Sequence, residues 1–282
     1  MPSVTLSDRA FLRLSGTDAE SLLQSLITTD LPSMPVDELR PGALLTPQGK
    51  ILFSFLIRRD GPDAFLIETD QGDRDGLARR LTLYRLRAAV EIAPVEGDTV
   101  TICWEPAEAE SPRDARFSRA GLTVTRRPGG GGAQDAALYD ALRIEAGLPE
   151  AGRDFALADA FPHDVLLDLT EGLSFRKGCY VGQEVVSRMQ HRGTARRRPV
   201  IVTGETALAP GGTELLAGSK PVGTLGTVHG EKGIALVRLD RVADARQSGT
   251  PITADGAPVR LALADWTGLA FPDTAAEETS TP

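Results

Sequence analysis

Apolar residues near the start of the chain recur at helical spacing. Ala19, Leu22, Leu23, Leu26 and Ile27 share one face, and Thr17-Asp-Ala-Glu20 just before them has the spacing of a capping box. The pattern predicts an amphipathic helix. Pro32, Pro35 and Pro41 make the next stretch irregular, "TPQGK" reads as a turn, and the apolar run Ile51 to Ile57 reads as a strand. "DAFLIETD" suits a second strand, expected to pair with the first. Leu77, Leu81 and Tyr84 return to helical spacing and "RAAVEIAP" to an extended pattern. In "TVTICWEP", alternation sets Val100, Ile102 and Trp104 on one face and Cys103 on the other, so Cys103 reads as a packed, inert thiol.

The texture changes twice further on. "RRPGGGGAQD", 126 to 135, reads as a flexible connector, after which Asp135 can cap a helix through "AALYDALRIEAG" that Gly147 and Pro149 stop. Beyond Arg198, short β-like runs ("PVIVTGE", "TLGTVHG", "IALVRLD", "VRLALADW") are divided by Gly, Pro and Asp turns and predict a small β-barrel. "PDTAAEETSTP" reads as a disordered acidic tail.

Composition narrows the classes. A chain of 282 residues with 41% hydrophobic content can bury a sizeable core, and its length suggests two or three domains. No secretory signal is expected, and the run Ile51 to Ile57 is far short of the roughly 20 residues that cross a bilayer, so the cytoplasm is the expected compartment and no membrane partner is expected. Two cysteines make no disulfide framework and cannot build a four-cysteine metal site; both are expected as reduced thiols. His163, His191 and His229 lack metal-ligand spacing to either cysteine, so no metal site is expected. A formal net charge of -8 argues against direct nucleic-acid binding.

Against that acidity, "SFRKGCYVGQEVVSRMQHRGTARRRPV", 174 to 200, gathers seven of the 31 Lys+Arg around Cys179, with Glu184 as its sole acid. Arg176 and Lys177 precede the thiol, and nearby positive charge favours the reactive thiolate. Gly178 and Gly182 allow the backbone to approach a ligand or another strand closely. The plainer reading is a small buried cysteine beside a solvated arginine face or domain joint.

"KGCYVGQE" with "RMQHRG" and "RRRP" resembles the YgfZ-type folate-binding proteins, relatives of the glycine-cleavage T-protein (aminomethyltransferase). The likeness extends through "LSGTDAESLLQSLITTDL", "LLTPQGKILFSFLI", "LYRLRAAVEI", "LRIEAGLP" and "PVGTLGTV". It implies an α+β fold in three parts: two interwoven α+β folate-binding parts and a C-terminal β-barrel. On this chain that is a folate-type region 1–195 (1–45 with 135–195 as one part, 46–127 as another, linker 128–134), a barrel 196–268 and a tail 269–282.

The resemblance also implies a function: binding of tetrahydrofolate or a derivative, with folate and iron–sulfur client or assembly proteins as partners, and an indirect effect on tRNA modification. Cys179 is the implied functional thiol and Lys177 its charge partner, with Tyr180, Gln183 and Glu184 completing the motif. Asp164 falls where T-proteins hold a pterin-recognising acid. Arg192, Arg196, Arg197 and Arg198 either receive the carboxylates of a folate tail or form a hinge. Three departures stand out. Phe53 and Ser54 replace adjacent acids that serve T-protein chemistry, Thr28-Thr29-Asp30 replaces Thr-Asn-Asp, and Leu166 stands where relatives often have asparagine. The first departure leaves enzymatic activity open: an accessory protein is the leading reading, a folate-dependent one-carbon transferase on an unknown acceptor the alternative. A factor contacting RNA through the basic stretch is disfavoured, because Tyr180 is its lone interleaved aromatic.

Overall fold

A computed structural model describes residues 2–104 and 111–272. Most of the tail expected at 269–282 therefore lies outside the described residues. The chain divides into two compact units, Met1–Tyr139 with Leu157–Pro162 and Leu167–Arg192, and Asp140–Ala156 with His163–Leu166 and Gly193–Pro282. The second unit thus includes 140–156 and 163–166, stretches that sequence alone assigns to the folate-type region.

In the first unit β1 (Ser3–Leu6), β2 (Arg9–Ser15), α1 (Ala19–Leu26), β3 (Glu38–Leu45), β4 (Ile51–Arg59), β5 (Ala64–Asp70), α2 (Arg74–Arg85), β6 (Glu91–Val95), β7 (Val100–Trp104), β8 (Arg113–Asp114), α3 (Ala115–Arg119) and β9 (Val124–Pro128) follow in order. The strands form one sheet, β1-β7-β9-β8-β3-β4-β5-β2-β6. β4 and β5 pair antiparallel, as their sequences predict. Leu22, Leu23 and Leu26 of α1 and Leu77 and Leu81 of α2 share a core with Leu12, Leu44, Phe55 and Ile67 from the strands. Burying each such side chain stabilises the fold by about 1.5–3 kcal/mol.

Several local expectations fail for tertiary reasons. The capping box at Thr17 to Glu20 does not form: Asp18, the N-cap of α1, makes no cap bond with its side chain, which accepts from Ala89 N at 2.8 Å, while Glu20 pairs with Arg59. Tyr84 lies at the exposed end of α2 and not with Leu77 and Leu81 in the core. The stretch expected as a connector starts inside the sheet. Arg126 in β9 is buried in an ion-paired cluster with Glu68, Arg9 and Tyr139, and the amides of Gly131 and Gly132 donate to Thr5 Oγ1 at 3.2 and 2.9 Å. Burial alone pushes the Glu68 carboxyl up, but Arg126 and Arg9 outweigh it and hold the group down at about 2.

α4 (Ala137–Ala146) starts as expected, with Asp135 Oδ1 accepting from Ala137 N at 2.9 Å, and stops at Gly147, whose φ is +67°. After α5 (Gln183–Arg192) come β10 (Arg197–Gly204), β11 (Glu214–Ala217), β12 (Lys220–His229), β13 (Lys232–Arg238), α6 (Leu239–Gln247), β14 (Ile252–Ala254) and β15 (Ala257–Ala262). The six strands close into a barrel, β10-β13-β12-β11-β14-β15. Val200, Val202, Leu215, Val222, Leu225 and Val237 fill it, and Leu239, Val242 and Ala245 of α6 join the same core. Within this unit the fully buried Arg143 of α4 ties the barrel to 140–156, donating to Asp154 at 2.7 Å and to Thr227 Oγ1 of β12 at 2.8 Å.

Candidate functional site

The loop from Gly172 to Gly182 presents Cys179 from the first unit, and its hydrogen bonds converge on the chain just after α1. Thr28 Oγ1 donates to Gly172 O at 2.6 Å and accepts from Ala43 N, while Ser174 N donates to Thr28 O at 3.0 Å. Ser174 Oγ then accepts from the amides of Arg176 and Lys177, folding the backbone into a tight Ser turn. That turn drives the Lys177 side chain inward. Its ammonium donates to Ile27 O at 2.8 Å and Thr29 O at 2.7 Å and lies 5.4 Å from the centre of the Tyr180 ring. Burial pushes the Lys177 pKa down to about 8, with Asp30 opposing.

Tyr180 anchors the other side of the thiol. Its ring is buried, its hydroxyl donates to Ser174 O at 3.4 Å, and burial raises its pKa to about 12. Gln183 Oε1 accepts from Tyr180 N at 3.3 Å, so the side chain that opens α5 also fixes the loop. Gly182 explains the second glycine: at φ +79°, a Cβ there would meet Thr46 O at 2.5 Å. Its close neighbour is therefore backbone of the β3–β4 turn, whereas a Cβ on Gly178 would point into open space.

Between these anchors Cys179 is exposed, whereas Cys103 is buried in β7. The result is a thiol open to solvent on a loop fixed at Lys177 and Tyr180. Such a group can act as a nucleophile or as a soft metal ligand. Of the other motif residues, Glu184 is exposed and pairs with Arg188 at 2.7 Å, and Arg192 is exposed at the end of α5.

Asp164 and Arg197 belong to the second unit and bind each other. Asp164 is buried in a single 3-10 turn, Pro162–Val165, and its Oδ2 accepts from Arg197 Nη2 at 2.7 Å and Nε at 3.1 Å. Arg198 is buried and donates to the carbonyl of His163. Two of the four clustered arginines thus hold the acidic turn in place. Leu166, just after it, is buried at φ +65°, a left-handed conformation that asparagine tolerates and leucine disfavours by roughly 1–2 kcal/mol.

Two of the replaced positions have structural contacts: Phe53 packs against the main core of the first unit, and Thr29 Oγ1 donates to Pro41 O at 2.8 Å; at Ser54 it is the backbone carbonyl that accepts from Thr69 Oγ1. Thr28 and Ser174 are the hubs of the loop, roles that the sequence signals only through the Ser174-x-x-Lys177 spacing of a Ser turn.

The model of the CAF17 C-terminal β-barrel domain matches residues 196–269. The chain is similar to the human protein named iron-sulfur cluster assembly factor IBA57, mitochondrial, with 29% identity over 304 residues, covering 93% of this chain and 84% of the relative. It is also similar to the mouse protein of that name, with 28% identity over 287 residues, 84% of this chain and 77% of the relative. In three dimensions it resembles the crystal structure of glycine cleavage system aminomethyltransferase T from Bartonella henselae, with a TM-score of 0.71 at 16% identity, covering 92% of this chain and 84% of the other. That likeness establishes the fold.

Proposed function

We propose that this chain supports assembly or repair of iron–sulfur enzymes as an accessory protein, that it binds tetrahydrofolate or a derivative, and that the Cys179 thiol is its functional group. The observation that carries the reading is the exposed thiol on a loop held at Lys177 and Tyr180. The printed name of its relatives, iron-sulfur cluster assembly factor, supports the same reading. An iron–sulfur cluster is substrate here. Clusters of this kind take about four cysteine ligands, so one thiol can supply one contact while a partner protein supplies the rest. Any effect on tRNA modification is indirect, through the iron–sulfur enzymes served, and the cytoplasm is the proposed compartment.

The folate part of the proposal rests on donor chemistry. A buried carboxylate such as Asp164 is the acceptor that a pterin amine and ring N–H require, and Arg197 fixes its orientation. Arg196, in the same unit as Asp164, is exposed, and we assign it, in place of the engaged Arg197 and Arg198, to the carboxylates of the folate tail. When bound, reduced folate supplies one-carbon chemistry. Phe53 and Ser54 give the chain no carboxylate base at the T-protein position, which favours the accessory role over a one-carbon transferase.

Calorimetry with mono- and polyglutamyl tetrahydrofolate tests the binding. Micromolar or tighter affinity is expected, with the polyglutamyl form favoured at low salt and the advantage lost at high salt. No heat with either form would remove folate from the account. Steady consumption of folate by purified protein would favour the transferase.

A further inference from the structure

The turn that leaves α2 is built against its own stability. Ala88 N donates to Arg85 O at 2.8 Å, and Leu86 between them has φ 44° and ψ -105°. These angles make a type II′ turn with Leu86 at the first central position, where glycine avoids the clash that a Cβ brings. Leu86 gains no burial in exchange, being 87% exposed. Backbone geometry favours glycine there and solubility favours a polar residue; leucine serves neither.

Its surroundings share the character. Leu83 is 69% exposed and Tyr84 36% exposed on the last turn of α2. Arg79 and Arg80 sit four residues before them, the spacing of neighbours on a helix surface, and Arg87 follows Leu86. All three arginines are exposed, and their side chains make no hydrogen bond or ion pair among the described residues. Between 74 and 90 the single acid is Asp75, which Arg74 holds at 2.9 Å. On a chain of net charge -8, this stretch is locally basic around exposed leucines, with the Asp18 carboxylate reaching only its far edge, at Ala89 N.

We propose that Leu83, Tyr84 and Leu86, flanked by Arg79, Arg80 and Arg87, form a docking surface for an acidic segment of a partner protein. Apolar side chains of that segment cover the two leucines, and its carboxylates meet the guanidinium groups. Charge complementarity selects the sign of the partner. The cations are all arginine, whose planar donors match carboxylates in pairs, and arginine and tyrosine around an apolar centre are the residue types that dominate protein interfaces. A membrane would need a longer apolar face, but Leu77 and Leu81 are already buried in the core. A nucleic acid would set its phosphates against exposed leucine.

The test uses the full chain in its own cells with a photo-crosslinking amino acid in place of the exposed Thr82. The expected adduct is with a protein and maps to an acidic segment of it. Its yield should fall about tenfold, equivalent to about 1.4 kcal/mol, when R79E, R80E and R87E are combined. Leu86→Gly should lower the yield as well while its melting temperature stays at or above that of the parent, which separates docking from folding. Absence of an adduct, an adduct indifferent to both variants, or transfer of the label to lipid or nucleic acid would each overturn the proposal.

Discussion

Lys177 donates from its ammonium to the carbonyl oxygen of Thr29 at 2.7 Å, so the cation that precedes the exposed thiol of Cys179 is turned into the fold. Together with the bond to Ile27 O, this makes Lys177 the pin of the loop. Lys177→Met should keep the side-chain volume but release the pin, and amide exchange across 174–182 should speed up relative to the parent. Unchanged exchange would mean that Tyr180 and Gly182 hold the loop by themselves.

The same lysine sets a pH dependence. Its folded pKa is lowered by burial to about 8 from an ordinary 10.5, so the unfolded chain binds the proton more tightly. Global stability therefore gains from this group as pH rises through 8 to 10.5 and loses that gain as pH falls back through 8. Urea titrations across this range should show a shallower rise for Lys177→Met than for the parent.

Glu68 acts in the acid range. Held at about 2 against an ordinary 4.5, its carboxylate stabilises the fold fully above pH 4.5, and the contribution disappears as pH falls toward 2. Glu68→Gln removes the carboxylate that pairs with buried Arg126 and Arg9, leaving Arg126 with Asp114 at 3.8 Å, and breaking a buried pair of this kind costs about 3–5 kcal/mol. Denaturation at pH 7 should show that loss. A difference from the parent that stays equally large at pH 2.5 would contradict the assignment.

Asp164 and Arg197 predict a coupled pair. Asp164→Asn removes charge from two hydrogen bonds and should destabilise the second unit by about 1.5–3 kcal/mol. It should also weaken tetrahydrofolate binding under conditions where the variant remains folded. Normal folate affinity in a folded Asp164→Asn protein would take Asp164 out of the ligand site.

Local patterns carried much of this architecture into the sequence. The β4–β5 pair, the Asp135 cap and the barrel after Arg198 were legible because each depends on residues close together in the chain. What stayed hidden depends on distant partners. Asp18 is drawn from its own helix to Ala89, and Arg126 looks like part of a polar connector until Glu68, on another strand, buries it. The motif singled out Cys179 and Lys177 as candidates, yet adjacency in sequence suggested a charge beside a thiol, where the Ser174 turn points the ammonium at carbonyls 27 and 29. Similarly, Asp164 and Arg197 read as two separate ligand contacts, and 33 residues of separation concealed their pairing.

The two cysteines supply the most direct measurement of the central claim, because one is exposed on the pinned loop and the other buried in β7. In cells lacking the endogenous protein, activity of an iron–sulfur client enzyme is compared for the parent, Cys179→Ser and Cys103→Ser at matched abundance. Cys179→Ser should fold with the stability of the parent and fail to restore the client, while Cys103→Ser should restore it wherever it remains folded. Full restoration by Cys179→Ser would contradict a functional role for the thiol.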